Sequence, residues 1–157
     1  MPSSKVRTLR TASTGPKISS HASRAVGPVT PQIIESILQK SFSQNPALGI
    51  TGVLCHGSDV YMQVLEGGRE VVNALYMKIA RDTHHRDVML LHYAEVPERH
   101  FAGWTMGHVN LGKLNPSLLL KYSDRPVLDP FAVSGRASMA LLEELIANAQ
   151  ITCRAGG

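Results

Sequence analysis

The run Val60-Tyr61-Met62-Gln63-Val64-Leu65 is aromatic and aliphatic except for one amide, Gln63. A buried amide needs partners for two N–H donors and a carbonyl acceptor, and leaving it unpaired costs about 1–3 kcal/mol. Strand alternation puts Tyr61, Gln63 and Leu65 on one face. Asn45 stands at the expected C-terminal end of one helix, and Arg81, Asp82, His84 and His85 follow a second. If both helices pack on the same sheet face, Asn45 and Gln63 border the gap between them. A planar ligand with polar edges would give both amides their partners. The competing reading puts Gln63 on a solvent-facing edge strand and makes Asn45 an ordinary helix C-cap.

Other chemistries lack their patterns. The seven histidines include the adjacent pair His84-His85, but there is no His-Glu-x-x-His, so no metal site is expected. No glycine-rich phosphate cradle of the dinucleotide or P-loop type occurs, and no Gly-x-Ser-x-Gly elbow. No pair of carboxylates stands out for acid–base work. The chain reads as a binding or sensing module rather than an enzyme, with no catalytic residue assigned.

The elements that must position these amides are legible. Thr30-Pro31 opens a helix as N-cap and first-turn proline. Ile33, Ile34, Ile37, Leu38 and Phe42 recur at helical spacing, and Asn45-Pro46 is expected to end the helix. Residues 49–56 read as a strand, 57–59 as a turn and 60–65 as its hairpin partner, broken by Glu66-Gly67-Gly68. A second helix runs from Arg69 to Arg81 with Val71, Val72, Leu75 and Ile79 inward. After a polar loop from Asp82 to Arg86, strands are expected at Val88–Val96 and Trp104–Leu111. Residues 17–23 form a weak, polar candidate for a first strand. The resulting class is α+β, a ferredoxin-like β-α-β-β-α-β-β sheet with two helices on one face. Helices at Pro116–Tyr122 and Ser138–Ala149, joined by a Pro- and Asp-rich link, are expected to cap the open face or to meet a partner.

The chain has 157 residues, 43% apolar and 18% charged, enough for one packed domain. Its formal net charge of +4 is unevenly placed. The first thirty residues hold Lys5, Arg7, Arg10, Lys17 and Arg24 and no acid, while the rest carry eleven basic against twelve acidic residues. Residues 1–16 are read as a basic flexible tail, with an arm for nucleic acid or acidic lipid and a transit peptide as alternatives. Cys55 and Cys153 lie far apart in sequence and suit a reducing cytosol, so a cytoplasmic location is expected. No apolar run is long enough to span a membrane, and one Trp, three Phe and four Tyr are few for an aromatic-stacking nucleic-acid module.

Four strings taken together are specific. Gln44-Asn45-Pro46-Ala47-Leu48-Gly49-Ile50-Thr51-Gly52-Val53-Leu54, then Tyr61 to Gly67, then Asp82-Thr83-His84-His85, then Arg99 to Met106 resemble, in order and spacing, the BLUF family of flavin-using blue-light sensors. The resemblance covers residues 17–111, expected as the flavin-binding domain, with 112–157 as a helical cap and tail. It implies a ferredoxin-like sheet with flavin between the two helices. The cofactor implied is FAD, with FMN or riboflavin as alternatives. Asn45 would bond the flavin ring edge and Gln63 would sit beside it. Ser23, Ser41, Lys78, Asp82 and His85 would complete the binding set. His84 stands where the family usually has Arg, and Arg86 would replace it as a phosphate partner. Trp104 and Met106 would couple the pocket to the surface.

The family's first strand carries Tyr-x-Ser, and that Tyr donates an electron and a proton to the excited flavin. Here the matching positions read His21-Ala22-Ser23, and a rival alignment, Thr11-Ala12-Ser13, also lacks the Tyr. Imidazole is a much poorer one-electron donor than phenol, so flavin binding is expected with an altered photocycle. Tyr61 or Trp104 would be replacement donors. The resemblance further implies a homo-oligomer that signals through an unidentified protein partner. Two other readings stay open: a degenerate fold of this family that has lost flavin, and a small nucleic-acid-binding regulator using the basic arm.

Overall fold

The computed structural model describes residues 15–103, 105–148 and 151–153. Among them a six-stranded sheet has the order β4-β1-β3-β2-β5-β6. The strands are β1 (Lys17–Ala25), β2 (Thr51–His56), β3 (Val60–Gly67), β4 (His85–Glu95), β5 (Gly107–Asn110) and β6 (Thr152–Cys153). The helices are α1 (Pro31–Leu48), α2 (Arg69–Ala80), α3 (Pro116–Leu120) and α4 (Gly135–Ala147), with a 3-10 turn at Leu111–Lys113. The first five strands and two helices follow the ferredoxin-like order read from the sequence. Likeness to solved structures, reported below, supports the α+β class.

The polar segment at 17–23 extends to Ala25 and forms an interior strand of the sheet, antiparallel to both β3 and β4. Lys17, Ser19, Ser20, His21 and Ser23 are all buried. Hydropathy alone made this strand look weak. Two hydrogen-bonding neighbours and a covered face on each side hold it instead, which is how a polar central strand is tolerated.

α1 does not stop before Pro46. The Thr30 side chain accepts from the Ile33 amide at 3.3 Å, and the helix runs through Pro46 to Leu48. Pro46 forgoes only one hydrogen bond, near the C-terminus, where the tertiary frame tolerates it. Gly49, at φ 67°, closes the helix: its amide bonds Pro46 O at 3.2 Å and the Ile50 amide bonds Asn45 O at 3.0 Å. This double closure is a Schellman motif, and glycine is its usual left-handed residue. Ile34, Leu38, Ser41 and Asn45 form the buried stripe of α1, at the i, i+4, i+7, i+11 spacing of one helix face. Ile33, expected inward, is 39% exposed because it lies off that stripe.

Other boundaries shift as well. Glu66-Gly67 does not break β3 but belongs to it. The Glu66 carboxylate is fully buried and accepts from the backbone amides of His100 at 2.6 Å and Phe101 at 2.7 Å. Arg99 donates to Thr51 Oγ1 and Glu66 O. β4 begins at His85 rather than Val88, and β5 is the short Gly107–Asn110. β6 was not anticipated; two residues give no periodicity to read. At Gly52 a Cβ would lie 2.0 Å from Val64 O, so the glycine permits close approach of β2 to β3.

The sheet separates two cores. On the helix side Ile34, Leu38, Ile50, Leu54, Tyr61, Leu65, Val72 and Met106 pack together. On the opposite side Ile18, Val53, Cys55, Met62 and Val64 lie under Leu119, Leu128, Met139, Leu141, Leu142 and Leu145. The C-terminal helices therefore cap the second face. α4 starts at Gly135, earlier than expected, with the Ser134 hydroxyl accepting from Ala137.

Candidate flavin site

Cross-strand register places the candidate residues. His21 faces Gln63, and Ser23 faces Tyr61, across the β1–β3 ladder. Directly opposed residues share a sheet face, so all four look toward α1 and α2. A cleft of about 200 Å³ opens between the two helices. Its floor is His21, Ser23, Leu54, Tyr61 and Gln63; α1 contributes Ile37, Ser41 and Asn45; α2 contributes Leu75, Lys78 and Ile79; Asp82 and His85 close one end. The reading of Gln63 as a solvent-edge residue fails, because β3 is an interior strand between β1 and β2.

The cleft is short of hydrogen-bond partners. Asn45 is 4% exposed and its amide bonds nothing among the described residues. Gln63 Nε2 has one weak contact, with Met106 Sδ at 3.9 Å. His21 Nδ1 is buried without a partner. Burial, with a smaller repulsion from His85, pushes the His21 imidazole down to about 4, so the ring is neutral at physiological pH. Buried polar groups in a folded protein find partners as a rule. The buried Asn45 amide, the half-buried Gln63 amide and the buried His21 Nδ1 around one cleft suit a ligand with polar edges.

The remaining residues are tied down. Ser41 donates to Ile37 O at 3.1 Å. His85 Nδ1 and Ser23 Oγ lie 2.9 Å apart, and the His85 ring meets Tyr61 edge-on at 5.0 Å. Burial lowers the His85 pKa, against an opposing pull from Asp82. The Asp82 carboxylate accepts from the His84 amide at 2.9 Å, which holds its pKa below the usual carboxylate range. Met106 is buried and reaches Gln63 from beyond α1's inner face. Arg86, expected as a phosphate partner, does not line the cleft; it pairs with its neighbour Asp87 in solvent. Trp104 and the rival Thr11-Ala12-Ser13 lie outside the described residues. His21-Ala22-Ser23 lies within β1.

Sequence reasoning missed Tyr76. Its ring meets His21 edge-on at 5.5 Å. The signal was present, since Tyr76 lies one turn after the buried Val72 of α2 and so on its inward side.

An α+β domain with a cleft between two helices on one sheet face is a ligand-binding class in its own right, and known proteins share it. The structure of BlrB, a BLUF protein in its dark state, superposes with a TM-score of 0.72 at 24% identity, covering 87% of this chain and 98% of that one. BlsA in its photo-activated state gives 0.73 at 25%, covering 83% and 94%. A Klebsiella pneumoniae BLUF protein solved with FMN and cyclic diGMP gives 0.63 at 26%, covering 85% of this chain and 36% of that one. Photoactivated adenylate cyclase subunit beta of Euglena longa is 33% identical over 87 residues, 55% of this chain and 10% of that protein. The alpha subunit of Euglena gracilis is 35% identical over 79 residues, 50% of this chain and 8% of that protein. The chain thus spans about a tenth of the length of these curated relatives. The family model for sensors of blue-light using FAD matches residues 18–107. The chain belongs to the BLUF family, whose members are flavin-binding blue-light sensors.

Proposed function

We propose that this chain holds FAD between α1 and α2 and senses blue light with a response altered by His21. The observation that carries this is the set of under-bonded polar groups around one cleft: the Asn45 amide, the Gln63 amide and His21 Nδ1. Asn45 and Gln63 would fix the edges of the flavin ring, and Ser23, Ser41, Lys78, Asp82 and His85 would surround the rest. The bound flavin supplies the absorption of blue light. The chain's own residues position it and pass its state through Gln63 to Met106. FMN remains a candidate, since a relative was solved with it.

The reading divides the chain into residues 17–111 for flavin and 112–157 for the cap, with 1–16 as a basic arm. Residues 1–14 of that arm lie outside the described residues. Pro16 is tied to the residue that follows β4, the Val96 amide donating to Pro16 O at 3.0 Å. The chain would act by contacts with a protein partner and with copies of itself, without a reaction of its own. Cys55 is a buried free thiol, which suits a reducing, cytoplasmic setting. No helix among the described residues is long and apolar enough to cross a membrane.

The test is the absorption spectrum of purified protein, before and after blue illumination, with added FAD and FMN. A yellow protein that saturates with one equivalent of flavin supports the reading. A colourless protein that takes up neither flavin overturns it and favours the interaction module without cofactor.

A further inference from the structure

α1 has a second flank. The cleft described above lies toward α2; on the other side, α1 overhangs β2 and β5 and leaves a groove of about 610 Å³. Ile34, Leu38 and Met106 form its apolar wall. Its floor is made by His56 and His108, whose rings stack with centroids 4.8 Å apart and planes 6° from parallel. They reach this position because β2 and β5 pair in parallel with Leu54 beside His108 and His56 beside Asn110. Lys113, in the 3-10 turn after β5, and Glu35 of α1 also line the groove.

We propose that this groove is a second ligand site, for a small amphiphilic carboxylate. Its size is within the range of small-molecule pockets, roughly 300–1,000 Å³, and it combines an apolar wall with a few convergent polar groups. Lys113 stands near His56, whose pKa is lowered first by burial, then by His108 and least by Lys113. A carboxylate there would pair with Lys113. Glu35, which accepts from Gln39 Nε2, repels an anion, so the acidic end is directed to Lys113 and the tail to Ile34 and Leu38. Met106 is shared between the two sites: it lines the groove, and its Sδ accepts from Gln63 in the flavin cleft. Occupancy of the groove is thereby placed in contact with the Gln63 side of the sensor.

The site stands apart from flavin, and its test does not depend on flavin uptake. Octanoate, octanamide and octylammonium are titrated into the full chain, saturated with FAD if it binds any, and followed by amide and imidazole NMR. Expected are shifts centred on Ile34, Leu38, His56, His108 and Lys113 with octanoate, saturating at one equivalent, and a rise in the His56 pKa. Octanamide should bind about tenfold more weakly and octylammonium more weakly still. Lys113→Glu should weaken octanoate about tenfold, and Glu35→Gln should tighten it. Lys113 is exposed and Glu35 half-buried, and the thermal unfolding of each variant checks that the fold is retained. Absence of saturable shifts at millimolar octanoate overturns the site. Equal binding of the three probes, or an affinity indifferent to both substitutions, overturns the anionic preference and with it the proposal.

Discussion

The imidazole of His21 and the amide of Gln63 stand opposite each other on the β1–β3 ladder, on the side of the sheet that faces both helices. Gln63 in turn touches Met106, and His21 touches Tyr76. The floor of the cleft is therefore a connected row running from α2 through β1 and β3 to the start of β5.

His21 occupies the place where the family's first strand carries Tyr. The natural chain is expected to show little or no red shift of its flavin absorption on blue illumination, and His21→Tyr is expected to restore one. Difference spectra of the two proteins decide it. A normal, recovering shift in the natural chain would show that another residue does this work, with Tyr61 on the floor and Tyr76 of α2 against His21 the candidate phenols.

Asn45 brings a buried amide to the cleft, and that side chain bonds no described protein group. Asn45→Ala is expected to weaken flavin binding by about 1–3 kcal/mol, or roughly fivefold to 150-fold, with little loss of fold stability. Fluorescence quenching on titration with flavin measures the first quantity and thermal unfolding of the flavin-free protein the second. Equal affinities in the two proteins would remove Asn45 from the site.

The flavin-free protein should lose stability in acid through His21. Its folded pKa of about 4 lies below the ordinary histidine value of 6.5, so the unfolded chain binds more protons between these limits. The contribution is complete above about pH 6.5 and is lost as pH falls toward 4, on the order of 3 kcal/mol. Urea unfolding at pH 7 and at pH 4.5, compared with His21→Leu, isolates it. The variant should show a shallower pH dependence, and an identical one would reassign the effect to His56 or His85, whose values burial also lowers.

Glu66 holds the segment that leads to Met106. Replacing it with Ala leaves the His100 and Phe101 amides without their carboxylate, and Phe101 is buried. A loss of about 3 kcal/mol in denaturant unfolding is expected, along with faster amide exchange over residues 99–103. A change under about 0.5 kcal/mol would mean that water replaces the carboxylate freely.

The sequence by itself determined the order of elements and the two amides. Periodicity marks α1 and α2, the β2–β3 hairpin has its turn residues, and Gln63 is conspicuous as one amide in an apolar run. The tertiary structure decided what local pattern does not carry. β1 is polar and has no periodicity of its own; the hydrogen bonds of β3 and β4 make it an interior strand. Pro46 reads as a helix stop, yet the Schellman closure at Gly49 and the burial of Asn45 keep the last turn helical. Glu66 reads as a breaker until residues 99–101, more than thirty positions later, supply its donors. Tyr76 and the stacked His56–His108 pair owe their roles to neighbours from other strands. In each case the deciding contacts join residues far apart in the chain, and a local pattern records only the near ones.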